Sequence, residues 1–242
     1  MPQAKKVALF IPCFIDQLYP ETGYNMVKIL EWAGCQVSFN KNQTCCGQPA
    51  YNAGFFPDAC NVAQKFLTDF NDPSCYVVAP SASCVGMVRN SYPNLLPDDP
   101  RVQELASRTY EFTEFLIDVL KVTAIPQAEF PARAVYHDSC SALRELGVKS
   151  GPRKLLSSVK GLEIVPLPDA EQCCGFGGTF AVKFEGISTA MAAQKVERAM
   201  STRAQYLIST DSSCLMHLQA YTHNAGFSLK TMHLIDVLAS GW

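Results

Sequence analysis

Two pairs of adjacent cysteines, Cys45-Cys46 and Cys173-Cys174, are the residues of this chain best suited to chemistry. Each pair is followed by glycine, in QTCCGQPA and in EQCCGFGG. Each also has one cysteine upstream and one downstream at nearly matched distances. Cys13 lies 32 positions before Cys45, and Cys140 lies 33 before Cys173. Cys84 lies 38 positions after Cys46, and Cys214 lies 40 after Cys174. Two four-cysteine sets, one per half, thus account for eight of the eleven cysteines. Four convergent thiolates suit zinc or an iron–sulfur cluster.

Structural zinc usually draws on two short Cys-x-x-Cys knuckles, and the chain contains none. Neighbouring side chains are expected to diverge, which suits one small tetrahedral ion poorly. A cluster presents several irons, so adjacent thiolates can each find one. The expectation is therefore a cluster in one or both halves, with zinc as the alternative. The glycine after each pair lets the backbone turn tightly and bring N–H groups near sulfur. A third reading is a thiol catalyst, in which one member of a pair is a low-pKa nucleophile. Buried structural thiols are the plainest reading, and the duplicated spacing argues against it. Cys35, Cys60 and Cys75 have no matched partners and read as small core residues.

The elements that must position these thiols repeat as well. KKVALFIPC and ARAVYHDSC each read as a doubly buried strand ending near a cysteine, and so do YVVAPSASC and YLISTDSSC. Helical periodicity marks TGYNMVKILEWAG and PDACNVAQKFLTDF in the first half, and GPRKLLSSVKG and STAMAAQKVERAMSTRA in the second. CQVSFN and LEIVPLP are short strands before the two CCG loops. The pentapeptide Leu-Ile-Asp-Val-Leu occurs at 116–120 and again at 234–238, and reads as packing. A tandem repeat follows, with halves at 1–122 and 132–242 joined by a proline-containing linker. SYPNLLPDDP in the first half has no counterpart. Strands alternating with helices predict an α/β fold of two pseudo-symmetric βαβ-type repeats with mostly parallel sheets. In such sheets ligands bind beyond the carboxyl ends of the strands, where the cysteines fall.

Around the cysteines, His137 is placed to bond a cluster sulfur, move a proton or touch substrate. A structural role with Asp138 fits its position equally. His217 and His223 read as surface or core residues of the helix after Cys214, and His233 as packing at the second pentapeptide. Arg144 could offer positive charge to an anionic cluster or a carboxylate, or form a surface ion pair.

The bulk properties exclude several classes. The 242 residues are 48% apolar and 17% charged with a net charge of −2, which is ordinary for a globular chain. There is no basic stripe for nucleic acid and no apolar run long enough for a membrane span. MPQAKKVALFIPCFI contains Pro12, lacks a small-residue cleavage site and reads as a strand rather than a signal peptide. A cytoplasmic chain with reduced thiols is expected. No G-x-G-x-x-G follows a strand, so hydride transfer by a nicotinamide or flavin on this chain is not expected.

Cys13…Cys45-Cys46-Gly47…Cys84 and Cys140…Cys173-Cys174-Gly175…Cys214 resemble the duplicated cysteine-rich CCG domain. That domain occurs in one of the subunits of heterodisulfide reductase and in the iron–sulfur subunits of glycolate oxidase and anaerobic glycerol-3-phosphate dehydrogenase. FIPCFIDQLYP, NQTCCGQPAYNAG, YHDSCSALRELG and QCCGFGGTF are similar to the lactate-utilisation protein A family, across almost the whole chain. The resemblance implies an iron–sulfur electron-transfer subunit. Such a subunit works with a ferredoxin-type iron–sulfur protein and a third lactate-utilisation protein to oxidise L-lactate to pyruvate. Its alternatives are a zinc-holding scaffold of the same complex and a redox catalyst of the heterodisulfide-reductase type. The family's pattern ends in Cys-x-x-Cys, giving five thiols per site. Here Ser81 and Asp211 stand in the first position of that pair. Four thiols suit a [4Fe–4S] cluster and not the five-thiol non-cubane cluster of heterodisulfide reductase. Ser81 and Asp211 are either oxygen ligands or capping residues at a strand end.

Overall fold

The structure, a computed structural model, describes residues 4–242. The first three residues of the repeat expected at 1–122 lie outside it. The chain divides into two compact units, one ending at Lys121 and the other Val122–Trp242. Each holds a four-stranded sheet in which every pairing is parallel.

In the first unit the strands are β1 (Lys6–Leu9), β2 (Gln36–Phe39), β3 (Tyr76–Ala79) and β4 (Thr109–Glu111), in the order β2-β1-β3-β4. The central strands carry the apolar run: Val7, Val77, Val78 and Ala79 are wholly buried. Helix Pro20–Trp32 buries Met26, Ile29 and Leu30, and helix Phe56–Asp69 buries Ala59, Ala63, Phe66 and Leu67. The three- and four-residue spacing lays each set along one face of its helix. Proline in the first turn starts both helices.

The second unit repeats this with β5 (Glu129–Tyr136), β6 (Lys160–Val165), β7 (Tyr206–Ser209) and β8 (Lys230–His233), in the order β6-β5-β7-β8. β5 starts inside the segment read as linker. Helix Ser150–Leu156 ends earlier than its periodicity suggests, and Gly161 lies within β6 rather than closing the helix. Helix Glu185–Ser201 covers the sheet with Ala192, Val196 and Ala199. In both units the chain leaves the first strand to one side and returns on the other. That reversal makes a crevice at the carboxyl ends of β1 and β3, and of β5 and β7.

β4 and β8 are the elements that hydrophobic patterning does not reveal. They are three and four residues long; β8 runs directly into the second Leu-Ile-Asp-Val-Leu segment, and β4 reaches the first through the helical turn that begins at Phe112. At that junction Glu111 caps one segment, its carboxylate accepting from Thr113 N and Glu114 N. His233 caps the other, its Nδ1 accepting from Ile235 N. Leu234, Ile235, Val237 and Leu238 are buried, as a packing element requires.

Glu111 is fully buried, and burial pushes its carboxyl up to about 7 despite the hydrogen bonds from Thr113 and Glu114. The folded chain therefore holds this proton more tightly than the unfolded chain. The stability it lends is complete below the ordinary carboxylate range and is lost as pH rises through about 7. Relative to Glu111→Gln, the wild-type chain should lose about 2 kcal/mol of unfolding free energy between pH 5 and pH 8. Urea titrations at the two pH values read this directly.

Candidate metal centre

The thiols of each half meet at the crevice their strands create. Cys13 opens a helix (Cys13–Leu18) beyond β1, and Cys84 lies in the first turn of helix Ala82–Gly86 beyond β3. Cys45 and Cys46 occupy the loop after β2. In the second unit Cys140 follows β5, Cys214 lies in the first turn of helix Ser212–Asn224 beyond β7, and Cys173 and Cys174 follow β6. All eleven cysteines are free thiols.

In the first half the Sγ atoms of Cys13 and Cys45 are 4.0 Å apart. Cys46 and Cys84 complete the set, close enough to shift the neighbouring thiols. In the second half the Sγ atoms of Cys174 and Cys214 are 3.0 Å apart, and Cys140 and Cys173 lie close enough to shift one another. Within each pair the adjacent thiols lie close enough to perturb each other, a nearer approach than the divergence expected of neighbouring side chains. The reason is the backbone turn that follows. Gly47 sits at φ 85°, Gly175 at φ 96°, and the N–H of each points back at the first sulfur of its pair, at 3.4 and 3.5 Å. Phe176 N adds a bond to Cys174 Sγ at 3.5 Å.

These contacts polarise the sets. Cys45 is pulled well below the usual thiol range by the thiols of Cys13 and Cys46, and Cys173 likewise by those of Cys140 and Cys174. Cys13, Cys46, Cys140 and Cys174, as donors, are pushed up. Lowering a thiol favours its thiolate, the form in which cysteine binds metal. Burial is graded in the same way in both. Cys46, Cys84, Cys174 and Cys214 are buried, Cys45, Cys140 and Cys173 are half-buried, and Cys13 is exposed. The donor set fits a soft or borderline metal or an iron–sulfur cluster, with one side shielded from water and the other reachable from the surface.

Asp211 and Ser81 stand where a fifth thiol would. Asp211 is a helix cap, accepting from Ser213 N at 3.3 Å and Ser213 Oγ at 2.7 Å. Ser81 Oγ lies 3.2 Å from Ser83 Oγ. Cys214 is raised overall, because burial and the Asp211 carboxylate outweigh the hydrogen bond from Cys174 that lowers it.

His137 is fully buried at the end of β5, and one of its ring nitrogens lies within 4.8 Å of the Cys174 and Cys214 sulfurs. Neither ring nitrogen has a partner at full hydrogen-bonding geometry, although the backbone of Ala170 approaches the ring. Burial, aided by the charge of Lys195, lowers it to about 4. Asp138 does not bond it; that carboxylate is held by both terminal nitrogens of Arg153, at 2.7 and 2.6 Å. His217 supports the second loop, with Nε2 3.3 Å from Ser188 Oγ, which donates to Gly175 O. His223 is exposed. Arg144 makes a 3.5 Å bond to Glu171 O and borders an open depression of about 660 Å³ whose charges are of both signs. Cys35 is a core residue as expected. Cys60 and Cys75 are half-buried, bonding Leu95 O and Asp72 Oδ2.

Two supports are not apparent from the cysteine pattern. Tyr92, in the stretch without a counterpart, is wholly buried and donates from its hydroxyl to Cys46 O at 2.9 Å. Lys195 is buried and donates to Asp169 O at 2.7 Å and Ala170 O at 3.2 Å, pinning the segment that leads into Cys173. Lys65 makes the matching bond to Asn42 O at 2.7 Å ahead of Cys45. The signal was the repeated Ala-Gln-Lys at 63–65 and 193–195. Lys195→Met leaves two carbonyls without a donor and should cost about 1–3 kcal/mol. Lys65→Met, at a side chain 43% exposed, should cost less than about 1 kcal/mol. Denaturant unfolding of the two variants gives the comparison.

This fold, with paired cysteines and four thiols at the sheet edge of each half, defines a duplicated cysteine-rich protein. The profile of the CCG cysteine-rich domain matches residues 7–89 and 134–219. Lactate utilization protein A of an Exiguobacterium species is 45% identical over 240 residues, covering 97% of each chain. The protein of that name from Geobacillus thermodenitrificans is 46% identical over 237 residues, covering 96% of this chain and 98% of its own. The chain therefore belongs to the CCG cysteine-rich family and, within it, to the lactate utilization protein A family. A hypothetical protein from Helicobacter pylori shares the fold at a TM-score of 0.63 and 12% identity, over 99% of this chain and 49% of that one. Among the described residues no helix is long and apolar enough to cross a membrane.

Proposed function

We propose that the chain is an iron–sulfur electron-transfer subunit of a multi-protein system that oxidises L-lactate to pyruvate in the cytoplasm. In this reading Cys13, Cys45, Cys46 and Cys84 hold one [4Fe–4S] cluster, and Cys140, Cys173, Cys174 and Cys214 hold another. The observation that carries it is the convergence of four free thiols, distant in sequence, at the crevice of each sheet. The role in lactate utilisation comes from the relatives' name. A bound cluster supplies one-electron redox chemistry. The chain's own residues hold the thiolates, aim the N–H groups of Gly47, Gly175 and Phe176 at sulfur, and shield one side from water. The exposed side, at Cys13, Cys45, Cys140 and Cys173, faces a redox partner. Exposed Phe55 and Phe56, and Val182, Phe184 and Ile187, lie just after the two loops and supply apolar surface for docking. The partners in this reading are a ferredoxin-type iron–sulfur protein and a third lactate-utilisation protein.

One distance favours a second reading, a zinc-holding scaffold of the same system. The 4.0 Å between Cys13 and Cys45 is near the ~3.8 Å edge of a thiolate tetrahedron around zinc with ~2.3 Å bonds. Optical spectroscopy on anaerobically purified protein separates the two. The electron-carrier reading expects a brown chromophore that bleaches with dithionite. It also expects L-lactate to bleach it only when the partner proteins are present. A colourless protein, unchanged by either reductant, favours the scaffold.

A further inference from the structure

The two halves differ at a buried position beside the proposed centres. Phe10 and His137 each precede the first cysteine of their set by three residues. They occupy equivalent places in the fold. Phe10 N bonds Val78 O of β3 at 3.0 Å, and His137 N bonds Ile208 O of β7 at 2.8 Å. Their surroundings diverge from there. Phe10 packs its ring edge-on to Phe66 and Phe70, at centroid distances of 4.7 and 5.8 Å, and completes an aromatic core. His137 is just as buried, yet neither ring nitrogen is paired. Burying a polar group without a partner costs about 1–3 kcal/mol, so a residue kept here needs something to bond. What lies within reach is sulfur: a ring nitrogen of His137 and the Sγ atoms of Cys174 and Cys214 all fall within 4.8 Å of one another.

We propose that His137 is a ligand of the second centre, its imidazole nitrogen joining the thiolates of Cys174 and Cys214, so that the two halves hold chemically different sites. The first is thiolate-only and the second is thiolate with imidazole. This rests on the reading of the cysteines as metal ligands. Imidazole is an ordinary partner of thiolate for zinc and for iron. It is neutral, and replacing thiolate by imidazole raises the potential of an iron–sulfur centre.

Cobalt(II) titration of the full-length, metal-free chain tests the assignment without relying on activity, because cobalt absorbance reports sulfur and nitrogen donors separately. Wild-type chain should bind cobalt at two sites with distinct spectra. His137→Phe, which installs the first half's residue, should weaken the second site by more than the roughly 10- to 100-fold that loss of a supporting-shell contact costs and leave the first unchanged. His137→Cys should restore binding with a spectrum close to that of the first site. This rescue separates a ligand from a packing residue, and circular dichroism checks that both variants are folded. Unchanged cobalt affinity and spectrum in His137→Phe overturns the proposal while leaving the cysteine reading intact. No cobalt uptake by the wild-type chain overturns the cysteine reading and this one with it.

Discussion

Replacing Cys174 by serine should empty the second centre and leave the first loaded. Cys174 is 2% exposed, and its Sγ lies 3.0 Å from that of Cys214. Serine keeps the volume, so the crevice and the fold persist. Its hydroxyl stays neutral and hard at neutral pH, where soft metals and clusters require thiolate. Losing a direct ligand should cost more than the roughly 10–100-fold that changes in the supporting shell cost. The expected result is loss of the metal bound by the second half, with an unchanged far-ultraviolet circular dichroism spectrum. Cys46→Ser should do the same to the first half, and the double variant should bind none. Undiminished metal in Cys174→Ser removes that residue from the ligand set.

Gly175→Ala should damage the second loop far more than Gly47→Ala damages the first. A Cβ on Gly175 would lie 2.6 Å from Ser188 O and 2.9 Å from Met191 Cβ, and the residue sits at φ 96°. Left-handed backbone costs a non-glycine residue about 1–2 kcal/mol, and overlap with a packed backbone adds about 1–3 kcal/mol. The variant should lose roughly 2–5 kcal/mol in denaturant unfolding. It should also lose the N–H···S bond to Cys173. Gly47→Ala is the control. Its Cβ would meet only Val62 Cγ1 at 3.3 Å, a contact a side chain can relieve, so the conformational cost of about 1–2 kcal/mol stands alone. Equal losses for the two variants would contradict this role of the second loop's packing.

How much of this was readable beforehand depended on whether a residue's role lies in its own pattern or in its partner's. β1, β3, β5 and β7 were legible because a strand buried on both faces must be a continuous apolar run. The repeat was legible because eight cysteines and a pentapeptide recur at matched distances. β4 and β8 were not, because TYE and KTMH are short edge strands held by pairing and by the Glu111 and His233 caps. The thiols lie at the strand ends as expected, but the N–H groups that reach back to the first sulfur of each pair depend on positive-φ glycines that bend the loop. Lys195 carries no apolar signal. It is buried because two loop carbonyls need a donor. Asp211, open between ligand and cap in the sequence, is a cap because the helix after β7 begins with unpaired N–H groups. His137 was marked as a neighbour of the second set, and its two unpaired nitrogens emerged only from the packing.

Metal and sulfide analysis of wild-type protein, purified and handled without oxygen, tests most directly whether each half holds an iron–sulfur cluster on four thiols. Iron and acid-labile sulfide are expected in equal amounts, with little zinc. Both should fall in parallel when Cys174 or Cys46 is changed to serine. Stoichiometric zinc with no acid-labile sulfide would contradict the cluster assignment.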